Sequence, residues 1–327
     1  MLNSLTSVVV ALIMPTMHII NTVFPVFLII ALGAQLRKGG FISAGFVDGL
    51  NRLVYWVALP SLLFYKIATA SYDYQVAGKT FLVVLAGMLA CIAAGYIVAA
   101  VMRVPSAATG TLVQGAFRGN LLYVGLPIII YSFAGSGNSN PAEIEAVAIL
   151  VLAPIVPAYN IAAVLVLLAS RQKLDRNVPV KIFRQIITNP LIIACVGGVL
   201  YSLIFPALPI VIVRACSAVG QIALPLALIG VGAALVQGKI VGRRSSAFAA
   251  SVIKIVLAPA AGFVAARLLG LGPAETKVGL LFLACPTATI SYIMAGQLGG
   301  DEQLSAAIVL VSTILSIVSL SLIVGLF

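Results

Sequence analysis

The sequence predicts an all-α polytopic membrane protein: ten transmembrane helices in two inverted five-helix repeats, with the fourth and ninth helices broken. Composition is the first reason. Hydrophobic residues make up 62% of the 327 residues, charged residues only 8%, and the mean hydropathy is +1.20, values outside the range of a soluble globular core. The second reason is the recurrence of apolar runs of about 20 residues, each able to cross roughly 30 Å of hydrocarbon as a helix. The third is internal repetition. Ala58-Leu59-Pro60 recurs as Ala223-Leu224-Pro225, and the same offset of 165 residues carries Pro25 onto Pro190 and Gly33 onto Gly198.

The runs fall at 17–36, 50–70, 79–101, 105–134, 143–169, 189–206, 208–238, 245–269, 276–299 and 302–326. They divide the chain into an N-terminal repeat (1–169), a short cytoplasmic loop (170–188) and a C-terminal repeat (189–327). The fourth and seventh runs exceed a plain span. Ahead of the first run, Val8 to Met14 is apolar but follows no basic residue and precedes no small-residue cleavage site. It is therefore expected to be retained, as a short helix against the membrane ended by Pro15, and not removed as a signal peptide. His18, the sole histidine, is expected at the outer interface.

The net charge of +11 follows loop parity and forms no basic stripe, which argues against nucleic acid as a partner. Alternate loops on one side hold twelve of the nineteen basic residues, among them Arg37, Arg52, Arg103, Arg171 and Arg243; the other side holds five, Lys66, Lys79, Arg214, Arg267 and Lys277. The positive-inside rule makes the first side cytoplasmic and leaves both termini on the opposite side of an inner (plasma) membrane. Five spans per repeat is an odd number, so the second repeat enters from the opposite face. One unit seen from two sides yields two conformations of similar energy, the requirement for alternating access in a secondary transporter.

With a two-residue gap the match continues, laying Gly95 on Gly262, Gly119 on Pro286 and Asn120 on Thr287. The fourth span then contains Gly119-Asn120 followed by Tyr123, Gly125 and Pro127, and the ninth contains Pro286-Thr287-Ala288-Thr289-Ile290-Ser291-Tyr292. Proline lacks an N–H and frees a carbonyl, so such segments are tolerated at membrane depth only against protein or a wet cavity. Two broken helices that meet would gather amides, carbonyls and half-helix ends around one point near the midplane, the expected substrate site. The plainer alternative is that Pro127 and Pro286 merely kink packed helices.

Four stretches are specific: Asn120 with Gly125-Leu126-Pro127; Ala58-Leu59-Pro60-Ser61-Leu62-Leu63-Phe64; Tyr159-Asn160; and Pro286 with Tyr292-Ile293-Met294-Ala295 and Asp301. Through them the chain resembles the auxin efflux carrier family, bacterial carriers of small dicarboxylates and plant PIN-type auxin exporters, over essentially all ten spans. The resemblance implies a sodium/proton antiporter-like, bile-acid symporter-like fold with crossed fourth and ninth helices. Spans 1, 2, 6 and 7 would be a scaffold, spans 3–5 and 8–10 a moving transport domain, and the assembly a homodimer. The short inter-repeat loop, and Ser291 where plant members carry proline, place the resemblance with the bacterial carriers.

Intramembrane charge discriminates among substrates. Arg118 and Lys254 are the cations at depth, whereas all eight acids lie in or beside loops. Cations, amides and helix N-termini suit an anion, and arginine offers a planar fork to a carboxylate. The candidate substrate-binding residues are Arg118, Asn120, Gly125, Pro127, Asn160, Pro286, Thr287, Ala288, Thr289 and Ser291, with Tyr123, Tyr159, Lys254 and Tyr292 as weaker members. Arg118 and Lys254 have a blander alternative, snorkelling or capping carbonyls. The coupling ion, proton or sodium, is left open, as is uncoupled movement.

The four cysteines lie on separate spans without metal-ligand spacing, and no nucleotide or nucleophile motif occurs, so neither a cofactor nor an enzyme is expected. Cys285, beside Pro286, is expected to be the cysteine that meets a labelling reagent. Three functions are in view: a carrier of small dicarboxylates such as malonate or malate, an exporter of auxin-like or other aromatic acids, and a transporter-like sensor or channel. In the first two the transport domain would slide as an elevator against the scaffold, with scaffold glycines and prolines permitting close approach at the sliding surface.

Overall fold

A computed structural model describes residues 2–69 (backbone for 2–16), 73–134, 141–171, 180, 183–184, 187–236 and 243–327. Most of the inter-repeat loop, with Lys173, Asp175, Arg176 and Lys181, lies outside these residues, as does Lys239. The described chain is helical, and its one β feature is an isolated antiparallel bridge between Gly119 and Thr287.

The helices are α1 (Leu2–Lys38), α2 (44–69), α3 (Tyr74–Val101), α4 (Ser106–Phe117), α5 (Leu121–Phe133), α6 (Pro141–Ser170), α7 (Pro190–Ile204), α8 (Ile210–Leu235), α9 (Arg244–Leu268), α10 (Pro273–Ala284), α11 (Ile290–Gln297) and α12 (Glu302–Leu326). Six stretches are long and apolar enough to cross a membrane: Met17–Lys38 of α1, and α3, α6, α8, α9 and α12. α1 corrects one expectation. Its backbone continues through Pro15 instead of ending there, so the apolar N-terminal stretch extends the first helix.

Local chemistry sets the ends. Ser43, Asp73, Asn189 and Asp301 cap α2, α3, α7 and α12 through side-chain oxygens that accept N–H groups of the first turn, and proline opens α6, α7 and α10, where a missing N–H costs nothing. Three of the prolines inside helices follow a widened turn. Pro60, Pro127 and Pro259 each follow by two residues a π-helical turn, at Val54–Ala58, Leu121–Gly125 and Ile253–Leu257. A proline ring clashes with the carbonyl four residues back. Widening the preceding turn relieves that clash, so Leu59, Leu126 and Ala258 donate to the carbonyls of Val54, Leu121 and Ile253, five residues behind.

The long helices turn apolar side chains outward. Leu82, Leu89 and Ile97 of α3, Val256 and Val264 of α9, and Ile314, Val318 and Leu322 of α12 are all exposed. A soluble monomer does not tolerate such patches, but lipid does. Inside, α1 packs on Ala223–Leu235 of α8 and α2 on α7, α3 lies against α9, α4 against α3 and α6, and α10 against α9 and α3.

Glycine sets the α1–α8 distance. A Cβ on Gly33 would overlap the backbone of Ile229, and one on Gly232 the carbonyl of Ile30. These glycine contacts lock α1 to α8. Backbone has no rotamer with which to yield, so Gly232→Val is expected to cost at least the ~1–3 kcal/mol of ordinary overpacking, read as a lower melting temperature in detergent with early aggregation.

Candidate functional site

α4 and α10 stop short at Phe117 and Ala284, and the chain runs extended for a few residues before α5 and α11 begin. The two extended segments pair antiparallel. Asn120 N–H donates to the Pro286 carbonyl at 2.7 Å and Ala288 N–H to the Arg118 carbonyl at 2.9 Å. Groups that unwinding would strand in hydrocarbon are thereby satisfied by each other. The Thr287 hydroxyl donates to the Gly115 carbonyl at 2.8 Å, while Thr287 N–H donates to Ser312 Oγ at 3.0 Å. Thr287 is thus spent on bracing the crossing to α4 and α12.

The C-terminal carbonyls of α10 are all accounted for. Leu281 O accepts from Cys285 N–H, Phe282 O from the Cys285 thiol, Leu283 O from Lys254 Nζ, and Ala284 O from Ser319 Oγ. Lys254, on the π turn of α9, is wholly buried. The thiol contact corrects the labelling expectation: Cys285 is buried by the inward turn of the unwound backbone, and Cys216 is the cysteine with partial exposure.

Further polar side chains are buried around the crossing. Arg118 is 5% exposed, and its guanidinium donates to Asn160 Oδ1 of α6 at 2.5 Å and contacts Met294 Sδ of α11. Asn120 is 6% exposed, with its side-chain N–H₂ unpartnered; its backbone carbonyl accepts from the N–H groups of Val124 and Gly125. Ser291 Oγ and the Tyr159 hydroxyl are also buried without a partner, and the Tyr159 ring meets Phe117 edge to face at 5.8 Å. Tyr123 and Tyr55 stand close enough to interact electrostatically with each other, and Tyr55 with Arg118. Among the described residues no carboxylate pairs with Arg118 or Lys254, and the one ion pair is Lys66–Glu145.

Most of the candidate positions are therefore brought together. Arg118, Asn120, Pro286, Thr287 and Ala288 form the crossing, and Asn160 joins through Arg118. Gly125 is buried where a Cβ would press on the Phe282 ring, and Pro127 shapes the π turn. Thr289 and Tyr292 are only partly buried beside it. Two residues escape a reading of the sequence. Gln114, fully buried on α4 one turn before Arg118, has both side-chain polar atoms unpartnered. A lone amide in a run of small and apolar residues is its only signal. Tyr55 gives no signal, because its nearness to Arg118 is purely tertiary.

Chemically, Arg118 and the Asn120 amide are donors without an acid. The first N–H groups of α5 and α11 add positive half-helix ends nearby. The arrangement fits a carboxylate and offers no nucleophile, base or metal-ligand cluster among the described residues.

The family model described as Membrane transport protein matches residues 18–324. The chain belongs to this family. It is the auxin efflux carrier family that the motifs resemble, and its members are transporters, not enzymes. A relative from Rhizobium meliloti (strain 1021), named "Putative malonate transporter", is 24% identical over 295 residues, covering 86% of this chain and 89% of the relative. With six apolar helices of spanning length, the protein is an integral membrane transporter.

Proposed function

We propose that the protein is a secondary carrier of a small dicarboxylate such as malonate or malate, bound where α4–α5 and α10–α11 cross. One observation carries this reading: a buried guanidinium and, two residues on, a buried amide whose N–H₂ has no partner occur with no acid among the described residues to satisfy them. A buried cation without a counter-ion is costly, and an anionic substrate supplies the missing charge. The Rhizobium relative named for malonate supports the same class.

The helices support ten spans in inverted repeat, with α4–α5 and α10–α11 each counting as one. Exchanging the repeats turns the α1–α8 contact into the α7–α2 contact, α3–α4 into α9–α10, and α4–α6 into α10–α12, and every one of these contacts occurs. Helices α1, α2, α7 and α8 form the scaffold of an inner-membrane homodimer with both termini outside the cytoplasm. α3–α6 and α9–α12 form the transport domain, which moves as an elevator.

Uptake of radiolabelled malonate and malate into proteoliposomes tests the reading. Wild type should take up one of them saturably, and Asn120→Ala should lose about 10-fold or more, the value of a hydrogen bond to a charged group. Absence of saturable uptake would overturn the dicarboxylate assignment. Tyr55, which interacts with Arg118, and Tyr123, which interacts with Tyr55, support a second reading, an aromatic acid, for which an indole carboxylate is the competing substrate in the same assay.

A further inference from the structure

Lys254 is the largest charged side chain with no exposure at all, and the anion site does not use it. Its Nζ donates to the Leu283 carbonyl, one of the four carbonyls at the C-terminal end of α10. Its Cε lies under Gly119, so close that a Cβ on that glycine would stand 3.1 Å away. The thiols of Cys91 and Cys285 interact with it electrostatically, and they donate to the carbonyls of Ile253 and Phe282. No carboxylate of the described residues reaches it.

The magnitudes say what such a lysine must be doing. Burying an ammonium costs several kcal/mol, and one hydrogen bond to a carbonyl returns only ~1.5–3 kcal/mol. The remainder has to come from the field. Both α4 and α10 end in their C-terminal direction at the crossing, and each helix end carries about half a negative charge, worth up to ~2 kcal/mol to a partly buried cation. Two such ends converging in a low-dielectric interior form a cation site. Carbonyls at helix ends are ligands a free alkali cation would take, and here the ammonium holds one of them, Leu283 O.

We propose that Lys254 is the built-in counter-cation of the helix crossing, taking the place a free alkali cation could otherwise occupy at the helix ends, so that substrate transport is independent of sodium. The proposal rests on the crossing being the anion site. On one side of the paired strands Lys254 neutralises the carbonyl ends and fixes Leu283 and Gly119. Arg118 and Asn120 are thereby positioned on the other side to receive the substrate. Lys254 is a positioning residue and touches no substrate.

Proteoliposome uptake with sodium or choline as the external cation, together with thermal unfolding of the detergent-solubilised full-length protein, tests this. Wild-type malonate uptake should be the same in sodium and choline. Lys254→Ala should lose about 10-fold or more of that uptake and unfold at a lower temperature. Both defects should be relieved by n-propylammonium, which replaces the deleted stem and charge, and not by n-propanol. Lys254→Met, close in length and neutral, should be as impaired as Lys254→Ala. Wild-type uptake that rises several-fold with sodium would overturn the proposal, and so would a Lys254→Met protein matching wild type in uptake and unfolding. Should wild type carry no malonate, the dicarboxylate reading falls alone, because selective stabilisation of Lys254→Ala by n-propylammonium still decides the role of Lys254.

Discussion

Replacing Arg118 by glutamine is expected to reduce dicarboxylate uptake by about 100-fold or more, whereas lysine at the same position should retain a measurable fraction. Arg118 sits at the end of α4, where its backbone carbonyl accepts from Ala288 and its guanidinium reaches Asn160 and Met294. It therefore ties three helices to the crossing and carries the charge. On the proposed reading glutamine removes the charge that receives the anion, and breaking such a buried pair costs ~3–5 kcal/mol, about two to four orders of magnitude in affinity. Lysine preserves the charge but not the fork that grips a carboxylate with two parallel bonds. Glutamine should therefore raise KM steeply, and lysine moderately. A purely structural role for Arg118 predicts something else: both variants would unfold early in detergent and neither would show a graded KM. Measuring KM and melting temperature on the same preparations separates the two.

Much of this site is legible in the sequence because proline leaves few choices. Pro60 and Pro127 each follow a widened turn and Pro286 sits in an unwound segment, whereas Pro154 and Pro157 stay inside the continuous helix α6, so proline marks these interruptions without being sufficient for one. Asn120 is readable for a related reason: an amide in an interrupted apolar helix has to serve either the backbone or a ligand. Here its backbone pairs with Pro286 while its side-chain N–H₂ is left over.

The partners across the fold are another matter. Nothing in Ile253-Lys254-Ile255 names the Leu283 carbonyl, and nothing in Cys285-Pro286 says that the thiol turns back onto Phe282. Gln114 is missed because a mid-helix amide is uninformative until both its atoms are known to be buried and unpaired. The glycines were readable as close-approach positions but not as to partner. Only the packing of Gly33 on Ile229 and Gly232 on Ile30 makes them a lock within one helix pair.

Cross-linking Lys66→Cys to Glu145→Cys should leave substrate binding intact and stop transport. In the native chain Lys66 Nζ and Glu145 Oε2 are 2.6 Å apart, with the side chains 30% and 13% exposed. They join the end of α2 to the start of α6, 79 residues on. On the reading proposed above α2 belongs to the scaffold and α6 to the transport domain, so this ion pair spans the two bodies that must move. A partly exposed pair contributes up to ~1 kcal/mol. That is weak enough to break during each cycle and strong enough to favour one state. A covalent link cannot break. In a Cys216→Ser background, which removes the partly exposed native cysteine, a short bis-thiol reagent should abolish uptake while malonate still protects the protein against thermal unfolding, and an uncrosslinked control should transport normally. Glu145→Gln should do the opposite, removing the latch and speeding exchange by up to about fivefold, the kinetic equivalent of ~1 kcal/mol. Undiminished uptake by the cross-linked protein would mean that α2 and α6 do not move apart, and the elevator assignment would have to be replaced by a gating motion confined to α5 and α11.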